Sequence, residues 1–79
     1  MNKRYLIIDP EKVTISLARK QMTRKELSDS AGIRPANLNA ILKRKTVAPK
    51  TAGIIAAALD VDVADILQLP EREAMHEAR

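Results

Sequence analysis

Lys43, Arg44 and Lys45 set three cations in a row directly after Leu38, Ile41 and Leu42, an apolar stripe at helical spacing. Cations at a helix end suit phosphate oxygens, and the same charges complement the negative end of the helix dipole. Just upstream stand Arg34, Asn37 and Asn39. These are the side chains that hydrogen-bond to base edges, an arginine pairing twice with guanine and an asparagine twice with adenine. Catalysis finds far less material. Cysteine is absent, and the single histidine, His76, sits in a polar tail without a cluster of further ligands. Neither a metal centre nor an acid, base and nucleophile set is expected, so the chain reads as a non-enzyme without a cofactor.

The net charge of +4 conceals an asymmetry. Met1 to Lys50 carries 12 Lys and Arg against 4 Asp and Glu, whereas Thr51 to Arg79 carries 2 against 6. The basic part suits a polyanion. Tyr5 is the only aromatic residue, which nearly removes base stacking, the common device of single-strand and RNA binders. No apolar run reaches a membrane span of about 18 residues, and "YLII" is too short for a signal-peptide core, so the whole chain is taken as the mature one, without a membrane role. The lack of cysteine fits a reducing cytoplasm. Seventy-nine residues make one small domain with an aliphatic core and marginal stability alone, which favours a partner or a dimer.

The elements that must position these groups can be read from caps and periodicity. Asp9-Pro10 starts a helix that runs to about Gln21, with Val13 and Leu17 inward and Ile15 and Ala18 widening that face. The preceding "RYLII" is either a short strand or an extended arm. Thr23 to Glu26 matches a capping box, so a second helix begins there, buries Leu27 and Ala31 and ends at Gly32. Pro35 opens a third helix on the stripe of Leu38, Ile41 and Leu42. "KRKTVAP" is read as a link to a fourth helix, Lys50 to Leu59, with Ile55, Ala58 and Leu59 inward, and Asp62 caps a short fifth helix from Val63 to about Leu67. The expected architecture is therefore all-α with five helices. Its parts are an arm over residues 1–8, a domain over 9–69 and a polar tail over 70–79.

Two helices joined by a short glycine-containing turn form a helix-turn-helix, whose second helix can lie in the major groove of DNA. Ser28 is small where the helices approach, and Ile33 can plug the junction. "MTRKELSDSAGIRPANLNAIL" followed by "PKTAGIIAAALDVDVADIL" resembles the phage repressor and Cro family, also called Xre-like, over about Glu11 to Leu67. The joint spacing of Thr23, Glu26-Leu27, Ala31-Gly32-Ile33, Leu38, Ile41, Pro49, "IAAALDV" and "DIL" carries the resemblance.

The resemblance implies that the third helix enters the major groove of double-stranded DNA. Pro35, Ala36 and Ala40 then face the bases, with Arg34, Asn37 and Asn39 nearby. Phosphates fall to Thr23, Arg24, Lys43 and Lys45, and more weakly to Arg44 and Lys50. Since alanine and proline cannot hydrogen-bond to a base edge, direct readout is expected from Arg34, Asn37 and Asn39. Arg44 and Asp60 stand where relatives commonly have glycine, and a left-handed conformation at such a position costs a non-glycine residue ~1–2 kcal/mol. Either helix three runs on past Arg44 or the loop takes another path. A transcriptional regulator of phage, plasmid or mobile-element type is the leading expectation. It would act as a homodimer on a two-fold operator, with the dimer contact around Val63 and Ile66 or in the tail. The alternative is an antitoxin-like or accessory module that binds a protein partner through the C-terminal tail.

Overall fold

The computed structural model describes residues 5–68. Among them a short strand β1 (Leu6–Ile7) precedes α1 (Pro10–Lys20), α2 (Arg24–Ala31) and α3 (Pro35–Arg44); β2 (Thr46–Val47), α4 (Pro49–Leu59) and a 3-10 turn (Val63–Ile66) follow. His76 and the tail lie outside the described residues.

Each helix start follows from its capping chemistry. Asp9 Oδ1 accepts from the Glu11 amide at 3.0 Å, with Pro10 at the first helical position, where it gives up no bond. At α2 the capping box forms in both directions. Thr23 Oγ1 accepts from the Glu26 amide at 3.1 Å, and Glu26 Oε1 accepts from the Thr23 amide at 2.8 Å. Gly32 closes α2 in the left-handed region at φ 72°, and the Ile33 amide then donates to Ser28 O at 2.9 Å.

The core is aliphatic and runs through every element. Val13 and Leu17 of α1, Leu27 of α2, Leu38 and Leu42 of α3, and Ala52, Ile55, Ala56 and Leu59 of α4 are buried together. α4 lies at the centre, against α1, α2 and the 3-10 turn. Ser28 is also buried at the junction of α2 and α3, where its hydroxyl donates to Lys25 O at 2.8 Å and so leaves no unsatisfied polar atom.

Several expectations need correction. The fold is mostly helical, and to the helices it adds a small sheet in which β1 and β2 pair antiparallel, Leu6 opposite Val47 and Ile7 opposite Thr46, so "RYLII" does contain a short strand. Val47, read as part of a link, is a core residue. Ile8, assigned to an arm, is fully buried, and its amide donates to Lys45 O at 3.1 Å. On its other side the segment meets the chain after the 3-10 turn, where the Asp9 amide donates to Ile66 O at 2.9 Å and the Gln68 amide to Ile7 O at 2.8 Å. The fifth helix is a single 3-10 turn, capped by Asp62, whose carboxylate accepts from the Ala64 amide at 3.1 Å. Ile15 and Ala18 are exposed. Position 15 lies 200° around the helix from Val13, and the inward face is completed instead by Ser16. Ala31, Ile41 and Ala58 are only half-buried, while Ala52 and Ala56 take inner places on α4.

Arg44 stays helical, and the left-handed residue is Lys45 at φ 64°, so α3 runs through the expected glycine position and its left-handed cap falls one residue later. Asp60 does adopt the left-handed conformation, at φ 60°. Lys45→Gly should raise stability by ~1 kcal/mol by relieving the Cβ strain. Chemical denaturation checks this, and an unchanged or lower midpoint would show that no strain resides there.

Candidate nucleic-acid interface

α3 is held from behind and open in front. Leu38 and Leu42 fix its inner face in the core, and the residues furthest around the helix from them are Ala40, Ala36 and Arg44. Ala36 and Arg44 are exposed, and Ala40 is half-buried. The outward stripe is therefore shallow, with a cation at its far end. It lets the helix backbone approach a partner closely.

The two flanks of this stripe differ. On one side Arg34, Asn37, Ala40 and Arg44 line an open groove whose far wall is Thr46 of β2 and Thr51 of α4. On the other side Arg24 and Lys25 at the start of α2 form a cleft with Pro35, Leu38 and Asn39. Arg24 Nη1 donates to Asn39 Oδ1 across this cleft at 3.3 Å. Guanidinium groups thus stand on both sides of α3. Lys43, Lys45 and Lys50 add exposed ammonium groups around its C-terminal end and the start of α4.

The structure thus gathers the sequence-derived candidates around one helix while giving them unequal roles. Thr23 is exposed, but its hydroxyl is already engaged with Glu26 in the cap, accepting from the amide and donating to Oε1 at 3.3 Å. Arg24 is then the group at the start of α2 that reaches across to α3. Asn39 is occupied by Arg24, which leaves Arg34 and Asn37 as polar side chains on the opposite flank. Thr46, Thr51 and Lys25 were not anticipated. Thr51 was within reach of sequence reasoning: Pro49 marks the helix start, which puts residue 51 in the first turn. Thr46 was not, because its position depends on the two-residue strand pairing.

α3 and α4 both begin without a side-chain cap, behind Arg34 and Ala48 respectively. First-turn amides at such starts suit anionic oxygens, and Lys50 and Thr51 supply these at α4. Among the described residues no group of three or more His, Cys, Asp or Glu is placed to hold a metal ion, and no helix is long and apolar enough to cross a membrane.

A family model for the Cro/C1-type helix-turn-helix DNA-binding domain matches residues 12–71. No curated protein matches the chain. Among solved structures, a variant of hydroxyethylphosphonate dioxygenase is similar, with a TM-score of 0.70 and 25% identity over 94% of this chain and 18% of that chain. The likeness therefore concerns less than a fifth of that enzyme's length.

Proposed function

This chain belongs to the Cro/C1-type helix-turn-helix DNA-binding domain family, and from that premise we propose that it is a sequence-specific regulator of transcription that reads duplex DNA with α3. It is of the phage, plasmid or mobile-element type and works in the cytoplasm by occupying an operator. The observation that carries the reading is the placement of cations on both flanks of one shallow outward helix, Arg24 on one side and Arg34 and Arg44 on the other. Ala36 and Ala40 lie against the bases, where they can touch a thymine methyl, and Arg34 and Asn37 supply hydrogen bonds to base edges. Lys43, Arg44, Lys45 and Lys50 take phosphates. The protein is not an enzyme on this reading, and the likeness to a dioxygenase extends only to a small helical part of it.

One recognition helix spans only a few base pairs, so two copies act on a two-fold site with half-sites about 34–36 Å apart. The contact between them does not involve Ile66, which is fully buried in the core. We place the contact instead at Ile54, which remains exposed on α4 one turn beyond Thr51. Selection from a random duplex pool, followed by footprinting of the winner, tests the proposal. An inverted repeat with two protected half-sites is expected. A single protected half-site at one protein per duplex would contradict the dimer, and a pool that yields no sequence would turn the reading toward a protein-binding module.

A further inference from the structure

The bond between Arg24 and Asn39 has a chemical consequence for the base that α3 reads. Arg24 is the first residue of α2 and Asn39 the fifth of α3, so the contact bridges the two helices of the unit. A guanidinium has donors only, so the amide oxygen of Asn39, and not its nitrogen, must face Arg24. The carboxamide is thereby oriented by its partner, with its NH2 group turned away.

Adenine shows the major groove one acceptor and one donor, and an asparagine matches both only when its oxygen and nitrogen are both available. Here one of the oxygen's two lone pairs is already taken by Arg24. What Arg24 and Asn39 still offer together is mostly donors, the remaining guanidinium N–H groups and the Asn39 NH2, against one remaining lone pair on the amide oxygen. Guanine presents two acceptors, N7 and O6, on the same edge. Ala36 stands one turn before Asn39 on α3 and has nothing beyond its Cβ to come between the pair and a base. Pro35, which lines the same cleft, has no N–H to compete.

We propose that Arg24 and Asn39 act as one donor-rich unit that prefers guanine over adenine at the base pair facing the second turn of α3. This rests on the reading of α3 as the helix that enters the groove. Asn37, on the opposite flank, is not part of the unit and keeps its own preference.

The test is selection from random duplex with the full chain, run in parallel for the unsubstituted protein, Arg24→Ala, Asn39→Ala and the double variant, with affinities measured on the selected site and on point-substituted sites. Both positions of this cycle carry exposed side chains, and thermal unfolding confirms that each variant folds. A guanine preference of about 5- to 150-fold is expected at one position of each half-site. Either single substitution should remove it, and the double variant should be no worse than the weaker single one. An adenine preference lost only in Asn39→Ala would overturn the proposal, because Asn39 would then read alone. Equal weakening on every sequence would also overturn it, since the pair would then contact only the backbone. Failure of the unsubstituted protein to select any duplex would overturn both this proposal and the regulator reading.

Discussion

Ala36→Asp should abolish binding to duplex DNA while leaving the fold intact. Ala36 is exposed on the outward stripe of α3, directly after Pro35, in the first turn of a helix that has no side-chain cap. A carboxylate there is favourable for the isolated domain, by ~0.3–1 kcal/mol, because it faces the positive end of the helix dipole. In a complex the same group would meet the phosphates and base acceptors of the groove. Like charges brought together across an interface cost on the order of several kcal/mol, a loss of at least ~100-fold in affinity. Thermal unfolding and a titration on the selected duplex separate the two effects. Unchanged or raised stability with binding lost is the expected pair of results, whereas retained binding would mean that α3 does not enter the groove. The same substitution at Ala40 is a weaker probe, since Ala40 is half-buried beside Arg44, one turn on, which could neutralise the new charge.

Ile8→Ala should destabilise the protein by about 2–5 kcal/mol. Ile8 is fully buried in the common core, and its backbone joins both β2 and the chain after the 3-10 turn. A domain of this size has a net stability of only about 5 kcal/mol, so the variant would be largely or partly unfolded at room temperature. A truly free arm would tolerate the change within about 0.5 kcal/mol. Urea denaturation followed by far-ultraviolet circular dichroism distinguishes the cases, and an unshifted midpoint would return residues 5–8 to the status of an arm.

The helices were legible because their signals are local. Asp9-Pro10, the Thr23 and Glu26 pair, Gly32, Pro35 and Asp62 each act within one turn, and the structure has every one of them at a helix start or end. A strand in "RYLII" was one of two readings, but β2 and the pairing were not legible, since two residues are too few to show an alternation and the pairing joins positions some 40 apart. Ile15 shows a different kind of error. Hydrophobicity placed it inward, but the angle from Val13 points it outward, and the buried Ser16 fills the position that geometry requires. At the site, residue types around α3 could be read from the sequence. The occupation of Asn39 by Arg24 could not, because it depends on how α2 crosses α3.

The central claim, that the cationic surface around α3 holds duplex DNA, is tested most directly by measuring affinity for the selected duplex against salt concentration. Four phosphate contacts per chain, from Lys43, Arg44, Lys45 and Lys50, would give a slope of log affinity on log salt of about −3.6 for each bound copy. Lys43→Ala should reduce its steepness by ~0.9 and weaken random duplex and selected site alike. A steep slope that flattens in this way is the predicted result. Affinity that does not change with salt, or no binding to duplex even at low salt, would contradict it.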